Sequence, residues 1–282
     1  MKIHSLHIYP MKSARVIDLD AAEIGPWGLY GDRRYMVTDP TGKFITQREL
    51  QALAQITAVE SFGTLHLSKS GSDESLTATF DPARRIDVEI WGNYVTAALA
   101  EDGINARLSD WLGQAVRLVH ADQVTQRQCN PDWAGEGVQT GFADGYPVLI
   151  TTTSSLRLLN EATTEEGGET FAMDRFRPNI VIHDETPFAD DFWASLDIAG
   201  IRFDLVKPCA RCIMTTQDQL TGARGGPDPM PVMRKLRMSL DRRVPGVLFG
   251  WNAVPRGTGP LKVGDPVSVI AERPEGWPVR QR

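Results

Sequence analysis

Short runs rich in apolar and β-branched residues, each followed by a turn residue, fill the first hundred positions of the chain. Runs of this length and composition are typical of β-strands. The predicted strands span residues 2–9, 33–39, 43–47, 55–62, 64–69, 86–90 and 94–98. Since no long helix separates them, we expect a meander that closes into a β-barrel or a sandwich.

One helix is predicted directly after these strands. Over residues 102–112 the apolar residues recur at helical spacing, and Gly113 is placed to cap the C-terminal end. A strand over 116–120 follows, and then a polar, Gly-rich segment over 122–145. We predict that this segment is a long loop, which is uncommon unless the loop has a function. A domain boundary before the loop divides the chain into predicted domains of residues 1–120 and 121–282.

The second half combines further strands with two helices. The strands are predicted at 147–151, 179–183, 200–207, 212–217, 249–254 and 261–270. Helices are predicted at 155–162, where Ser154 is placed to cap the first turn, and at 230–240. The expected fold class is mainly β (α+β), with two β-barrel-like domains and a few short helices.

The composition is that of an ordinary globular protein and argues against two kinds of partner. Of 282 residues, 41% are hydrophobic and 23% are charged, and the net charge is −6. A net-acidic chain argues against nucleic-acid binding, and no apolar run approaches the ~20 residues of a membrane helix. The sequence starts without a secretion or transit signal and contains only three cysteines. We therefore expect a cytoplasmic protein with neither a nucleic acid nor a membrane as partner.

Two of the cysteines form the segment Cys209-Ala210-Arg211-Cys212, which has several interpretations. A thioredoxin-like pair would be followed by a helix, but the next four residues favour a strand. A structural zinc site needs four ligands, and Cys129 and the five histidines are not at a recognisable ligand spacing. Alternatively, one thiolate binds a soft metal and is kept ionised by the nearby Lys207 and Arg211. Both cysteines could equally be small apolar residues of a strand, and the local pattern leaves these interpretations open.

Three basic elements elsewhere could recognise an anion. Two arginines flank Phe176 in the run Asp174-Arg175-Phe176-Arg177-Pro178-Asn179, which leads into an apolar strand. Guanidinium groups at a strand entrance can bind a phosphate or a carboxylate, or else form an ordinary salt bridge with Asp174. The other two elements are Lys12-Ser13, after the first strand, and Gly31-Asp32-Arg33-Arg34, before the third region of β-structure.

Taken in order, these motifs resemble a known family, in which a molybdenum cofactor sulfurase C-terminal (MOSC) domain follows a MOSC N-terminal β-barrel. This is the family of the mitochondrial amidoxime-reducing component and its bacterial relatives. The resemblance covers nearly the whole chain. It rests on the segments Ile8-Tyr9-Pro10-Met11-Lys12-Ser13, Asp32-Arg33, Phe176-Arg177-Pro178-Asn179, Cys209-Ala210-Arg211-Cys212-Ile213-Met214-Thr215-Thr216 and Lys262-Val263-Gly264-Asp265-Pro266-Val267.

The resemblance implies a molybdenum–molybdopterin cofactor whose metal is ligated by the thiolate of Cys212. The residues expected to hold the pterin and its phosphate are Lys12, Ser13, Arg33, Asp144, Arg177, Asn179, Arg211 and Asn252. Basic side chains at these positions of an acidic protein would offset the charge of the phosphate and the metal centre. Ala210 replaces a hydroxyl residue of the eukaryotic members, and Asn252 replaces a tyrosine. Cys209 is expected to support the metal-binding loop, and Cys129 to have no role in the site.

The implied activity is the reduction of N-hydroxylated small molecules such as amidoximes, hydroxylamines and N-hydroxylated bases. Asp144 and Asp174 are candidates to deliver protons, although surface ion pairs would equally explain them. Some bacterial relatives carry a cysteine-rich ferredoxin-like domain, and this sequence shows none up to Arg282. We therefore expect electrons from a separate ferredoxin-, flavodoxin- or cytochrome-type donor with its reductase. Two alternatives remain: a sulfur or molybdenum-cofactor carrier that uses the Cys212 thiolate, and a module that binds an anionic small molecule without redox chemistry.

Overall fold

The strands and helices below are those of a computed structural model, which describes residues 1–280. The strands of the first half are β1 (Lys2–Ile8), β2 (Ile17–Leu19), β3 (Ala21–Gly25), β4 (Gly28–Leu29), β5 (Tyr35–Thr38), β6 (Ile56–Ser61), β7 (Thr64–Lys69), β8 (Ser75–Ala78), β9 (Phe80–Ile90), β10 (Asn93–Ala100) and β11 (Arg117–His120). Those of the second half are β12 (Val148–Thr152), β13 (Ile180–His183), β14 (Trp193–Ile198), β15 (Ile201–Ala210), β16 (Leu248–Pro255), β17 (Gly259–Lys262) and β18 (Val267–Glu272). The α-helices are α1 (Asp102–Leu112), α2 (Pro131–Ala134), α3 (Thr153–Glu165) and α4 (Met230–Leu236).

The largest sheet combines strands from both ends of the chain. Its eight strands have the order β18-β14-β15-β16-β12-β13-β1-β2, and all neighbours are antiparallel except β12 and β13. The strand β1 therefore lies inside a sheet that is otherwise built mainly by the second half, with Leu6 opposite Ile180. Three smaller sheets have the orders β5-β11-β10-β9, β17-β3-β4 and β6-β7-β8. The mainly-β prediction is confirmed.

Separate apolar clusters lie beneath the large sheet and beneath α1. The large sheet buries Trp193, Phe203 and Trp251 together with aliphatic residues of β1, β12 and β13. Leu108 and Trp111 of α1 pack onto the strands of the first half. The apolar side chains buried in these two clusters stabilise the strands and helices on which the connecting loops are mounted. The loops between the two clusters form the site described below.

Two local predictions match the structure closely. The helix α1 has the predicted bounds, and Gly113 caps it in the left-handed conformation, with φ 72°. The strand β7 also has the predicted bounds. The 122–145 segment contains only the short helix α2 and isolated bridges, as expected for a long loop. Among residues 1–280, no helix combines the length and the apolar character that crossing a bilayer requires.

The strand predicted at 212–217 is wrong, because residues Ile213–Thr216 form a 3-10 turn. Two threonine hydroxyls stabilise it: Thr215 donates to the carbonyl of Cys212 at 3.0 Å, and Thr216 to that of Ile213 at 2.8 Å. Such local bonds compete with strand pairing and override the β-propensity of the residues. The guanidinium of Arg175 then holds the turn by donating to the carbonyls of Thr215 and Gln217.

Four further details differ from the predictions. The strand predicted at 261–270 is divided into β17 and β18 by a turn in which Gly264 has φ 92°. Residues 43–47 make only isolated bridges, since Thr46 and Glu49 form a local hydrogen-bonded turn instead. Helix α3 is capped by Thr152, whose hydroxyl accepts from the backbone N–H of Ser155, while the Ser154 hydroxyl donates to Asp184. Helix α4 ends at Leu236, four residues before the predicted end at 240.

A buried ionic cluster supports the large sheet from one side. Arg237 makes a two-pronged ion pair with Asp191, at 2.7 and 2.9 Å, and the Trp251 indole N–H approaches the same carboxylate at 3.4 Å. The neighbouring Asp190 is also buried, and its Oδ1 has no hydrogen-bond partner among residues 1–280. Burial and the charge of Asp191 raise the pKa of Asp190 to about 7.

This raised pKa predicts that the protein loses stability as the pH rises from about 4 to about 7. Over that range the folded state keeps a proton on Asp190 that the unfolded state has already released, so a higher pH favours unfolding. We expect Asp190→Asn to remove this slope and to raise the free energy of unfolding at pH 8 by about 1–4 kcal/mol. The free energy of unfolding is measured in urea at pH 5 and pH 8 for the wild type, for Asp190→Asn and for the exposed control Asp132→Asn. If stability still fell between pH 5 and pH 8 in Asp190→Asn, Asp190 would not be the cause of the pH dependence.

Candidate functional site

A single cavity brings together loops from both halves of the chain. It encloses about 860 Å³ of space outside the protein atoms, part of it open to solvent. All nine residues singled out in the sequence line it: Lys12, Ser13, Arg33, Asp144, Arg177, Asn179, Arg211, Cys212 and Asn252. The structure therefore places them together, while the role of each stays a prediction.

Cys212 lies half-buried in the cavity wall, where β15 ends and the 3-10 turn begins. Its Sγ accepts a hydrogen bond from Nη2 of Arg48 at 3.1 Å, and the Arg48 guanidinium stacks 4.7 Å from the centre of the Trp91 ring. The Arg48 guanidinium therefore places a positive charge directly beside this sulfur.

The expected source of this positive charge was wrong. Arg211 donates to Sγ of Cys209 at 2.7 Å and to the carbonyl of Phe176, so its guanidinium lies beside the other cysteine. Lys207 lies outside the cavity, 5.4 Å from the ring centre of Trp133. Arg211 therefore lines the cavity, but it contacts Cys209 rather than Cys212. The cation on Cys212 comes instead from Arg48, 164 positions earlier.

Two guanidinium groups are stacked on one tyrosine at the cavity wall. The Cζ atoms of Arg33 and Arg177 lie 4.2 and 4.1 Å from the centre of the Tyr9 ring. Arg33 is further held by both oxygens of Asp32, at 2.9 and 2.8 Å, and donates to the carbonyl of Arg177 at 3.0 Å. Arg177 donates to Gln219 and to the carbonyl of Ala14. The pair is thus fixed in place despite its like charges, as a site that receives an anion requires.

The backbone is strained at three of the lining residues. Ser13, Arg33 and Arg177 have φ values of 65°, 45° and 52°, in the left-handed region that non-glycine residues rarely adopt. Such strain persists only where the surrounding structure determines it, and it is concentrated at functional sites. Here it turns three predicted binding residues toward the same cavity.

Lys12 and Asp144 form an ion pair across the cavity. Nζ of Lys12 donates to Oδ1 of Asp144 at 2.5 Å and to the carbonyl of Phe142 at 2.9 Å. Burial lowers the pKa of Lys12 to about 8, although Asp144 opposes the shift. Enclosure by the cavity walls would raise the pKa of Asp144, but Lys12 and Arg33 outweigh this and hold it well below its usual range.

The low pKa of Asp144 argues against its predicted role as a proton donor, because its carboxyl is ionised at neutral pH. The Asp144 side chain is also 77% exposed. Asp174, the other candidate, does not line the cavity. Its backbone carbonyl accepts from the N–H of Arg177, and burial raises its pKa.

The two predicted amide residues already bond to backbone groups. Asn179 accepts from the N–H of Leu149 at 3.0 Å and donates to the carbonyl of His7 at 3.2 Å. Asn252 donates to the carbonyl of Lys207 at 3.2 Å. Each amide keeps one N–H for a ligand, and their bonds to neighbouring strands hold the cavity wall together.

Two residues near Cys212, Arg48 and Trp91, line the cavity and have no signal in the sequence pattern. Arg175, one of the two arginines considered for anion binding, instead holds the 3-10 turn. Tyr9, which lies between Arg33 and Arg177, belongs to a segment of the family resemblance but had no predicted role. Cys209 lines the cavity beside Arg211, whereas Cys129 is buried elsewhere, and burial raises the pKa of its thiol to about 11. Within residues 1–280, no three His, Cys, Asp or Glu side chains converge in a metal-binding arrangement.

Comparison with known proteins identifies both halves of the chain. Residues 1–115 match the model of the MOSC N-terminal beta barrel domain, and residues 138–268 match that of the MOSC domain. Mitochondrial amidoxime-reducing component 1 of Homo sapiens is 30% identical over 96% of this chain and 83% of its own length. The Danio rerio protein of the same name is 27% identical over 95% of this chain and 84% of its length. Molybdenum cofactor sulfurase of Danio rerio is 29% identical over 78% of this chain, which matches 28% of that longer protein.

Proposed function

This chain belongs to the family in which a MOSC domain follows a MOSC N-terminal β-barrel domain, and on that premise we propose that it is a molybdenum-dependent reductase of N-hydroxylated small molecules. Its cofactor would be molybdenum–molybdopterin. Its substrates would be amidoximes, hydroxylamines and N-hydroxylated bases. The names of the amidoxime-reducing relatives support the reaction class, and the cavity around Cys212 supports its location.

The donor groups in the cavity fit such a cofactor. The cavity is lined by two thiols, those of Cys209 and Cys212, by six cationic side chains and, among residues 1–280, by a single carboxylate, which belongs to Asp144. The cations are Lys12, Arg33, Arg48, Arg175, Arg177 and Arg211. A soft sulfur donor suits a metal such as molybdenum, and the excess of positive charge suits a phosphate removed from bulk water. This convergence of the Cys212 sulfur with six cations carries the proposal.

Each residue has a distinct part in the proposed site. Cys212 would ligate the metal, and Arg48 would stabilise the charge on its sulfur through the N–H donated to Sγ. Arg33 and Arg177, fixed on Tyr9, would bind the phosphate. When bound, the molybdenum cofactor supplies the two-electron chemistry. Lys12, whose pKa of about 8 lets it release a proton near neutral pH, is the best placed proton donor among the lining residues.

The proposal is tested on protein purified from a host that makes the cofactor. We expect close to one molybdenum and one pterin per chain, and steady reduction of benzamidoxime to benzamidine with reduced methyl viologen as the electron source. Protein that carries the cofactor but turns over no N-hydroxylated compound would refute the reductase function. Wild-type protein that lacks metal from such a host would refute the cofactor assignment.

A carrier of sulfur or of the cofactor is the second candidate, and the match to molybdenum cofactor sulfurase favours it. In this case the Cys212 thiolate would carry a persulfide or pass the pterin to another enzyme. A carrier would release thiocyanate when treated with cyanide and would show no steady-state reduction with any reductant. The benzamidoxime assay therefore separates the two functions.

Electrons would come from a separate redox protein of ferredoxin, flavodoxin or cytochrome type, in the cytoplasm. Cys129, Cys209 and Cys212 are all free thiols, as a reducing compartment allows. Among residues 1–280 no cluster of cysteines is present that could bind a second redox centre. A separate donor is thus part of the proposal.

The stacking on Tyr9 leads to a specific prediction for cofactor binding. Replacing Tyr9 by leucine removes the ring on which Arg33 and Arg177 lie, so we expect at least about tenfold weaker cofactor retention. Tyr9→Phe keeps the ring, and the lost hydroxyl is buried without a partner among residues 1–280, so this variant should retain the cofactor. Pterin and molybdenum per chain, measured after dialysis on folded protein, provide the readout. Equal loss in both variants would show that the ring does not position the arginines.

A further inference from the structure

A second depression continues from the cavity along the surface. It shares seven residues with the cavity: Trp91, Asp144, Gly145, Tyr146, Cys209, Ala210 and Asn252. Beyond these it extends over residues of the long loop, over Lys207 and Pro208 of β15, and over residues 243–245. We call this depression the groove. Since it opens directly onto the wall that carries Cys209 and Ala210, a molecule bound in the cavity can extend into it.

The groove contains a cationic side chain, that of Lys207, that has no ion-pair partner among residues 1–280. Lys207 is half-buried, and no carboxylate among residues 1–280 lies within salt-bridge distance of its Nζ. The Nζ atom lies over the ring of Trp133, at 5.4 Å from its centre, and the guanidinium of Arg243 lies over the same ring at 5.4 Å. Arg243 is already paired with Asp241. Lys207 is thus positioned by an aromatic surface but left without a counter-ion.

The carboxylates around the groove do not offset this charge. Asp144 is the only acidic residue that lines it, and its carboxylate is paired with Lys12. The third cation of the groove, Arg127, donates to the carbonyls of Gly141, Ala143 and Asp144 and so holds the loop. The groove therefore has an excess of positive charge, although the whole chain has a net charge of −6. A partly desolvated cation without a partner favours an anionic ligand.

From this arrangement we propose that the groove binds an anionic group of the substrate, so that the preferred substrates are N-hydroxylated compounds that carry a phosphate, such as N-hydroxylated nucleotides. The proposal rests on the proposed reductase function and narrows its substrate class. Lys207 would bind the phosphate, and the N-hydroxylated part would lie in the cavity. A nucleotide-extended form of the pterin is the other molecule whose phosphate could reach the groove.

The spacing along β15 agrees with a substrate of this size. Lys207 and Ala210 are three residues apart on the strand, which corresponds to roughly 10 Å. Ala210 lines both the cavity and the groove, so it marks the point where they join. An exocyclic nitrogen in the cavity and a phosphate at Lys207 would thus be separated by about the length of a nucleoside.

The test compares N4-hydroxycytidine with its 5′-monophosphate as substrates of the holoenzyme. We expect the kcat/KM ratio of nucleotide to nucleoside to exceed 1 and to fall about tenfold in Lys207→Gln, as the loss of one charge-assisted contact predicts. The control variant is Lys235→Gln, which also removes one positive charge. Lys235 lies on helix α4 and is paired with Glu166, so this variant should leave the nucleotide-to-nucleoside ratio at the wild-type value. An equal ratio in wild type and Lys207→Gln would overturn the proposal.

A binding measurement separates this proposal from the reductase function. Cytidine 5′-monophosphate and cytidine, the reduced forms of the two substrates, are titrated calorimetrically into holoenzyme and into Lys207→Gln. Tighter binding of the nucleotide that disappears in Lys207→Gln would support the groove even if the enzyme reduced no N-hydroxylated compound. Mass spectrometry of the cofactor released from the wild type and from Lys207→Gln provides a second check. If the wild-type cofactor carried a nucleotide and the Lys207→Gln cofactor did not, the groove would bind the cofactor, and the proposal would be overturned.

Discussion

Cys212→Ala protein is expected to be purified without molybdenum and to reduce benzamidoxime at least about 100-fold more slowly than the wild type. The variant removes the thiol that Arg48 contacts, so no soft donor remains at that point of the wall. The loss should exceed the 10–100-fold effect that changes around a metal's ligands usually cause. Metal analysis and steady-state kinetics on the same preparation measure it.

Cys209→Ala is the matched control for this prediction. Cys209 lines the same cavity three residues earlier in the chain, but its sulfur accepts a hydrogen bond from Arg211 and is not the sulfur that Arg48 contacts. We expect this variant to keep its molybdenum and most of its activity. Full metal content in Cys212→Ala would show that another residue holds the metal, and equal losses in both variants would show that the two cysteines act together.

Replacing Arg237 by methionine is expected to lower the free energy of unfolding by about 3–5 kcal/mol. The variant leaves the carboxylate of Asp191 without its two-pronged partner, in a buried position next to Asp190. Removing one member of a buried ion pair costs the full penalty for the uncompensated charge. The measurement is urea unfolding at pH 7, followed by tryptophan fluorescence.

Two further variants show whether the buried charge is the cause. Arg243→Met breaks the exposed pair with Asp241 and should cost no more than about 1 kcal/mol. In the double variant Arg237→Met/Asp191→Asn the buried charge is removed with its partner, so most of the lost stability should return. If the double variant were as unstable as Arg237→Met, the loss would come from packing against Phe188, which lies 4.0 Å from the Arg237 guanidinium.

Elements that depend on neighbouring residues could be predicted from the sequence, and those that depend on distant ones could not. Helix α1 follows from its own apolar spacing and from Gly113. In contrast, β3 pairs with β17, more than 200 positions later, and β4 has only two residues. The sequence of residues 21–29 alone does not predict these strands, because the hydrogen-bond partners of β3 on β17 come from a remote part of the chain.

The same distinction applies to the site. Lys12, Arg33, Arg177 and Cys212 could be found because they lie in segments that resemble a family, and the structure brings them to one cavity. Arg48 could not, since its contact with Cys212 joins residues 164 positions apart and the segment around Arg48 has no recognisable pattern. The 3-10 turn was missed for a different reason: the hydroxyls of Thr215 and Thr216 bond locally, and β-propensity does not account for that.

The position of β1 between β13 and β2 has a consequence for biosynthesis. Residues 2–6 are translated on the order of ten seconds before the strand that they pair with, around Ile180–His183. During that interval Ile3 and Leu6, which are buried in the finished sheet, have no apolar surface from β13 to cover them. The nascent chain therefore presents a binding site for chaperones, and any prosthetic group can enter only after translation has passed Asn252, when the last wall of its cavity exists.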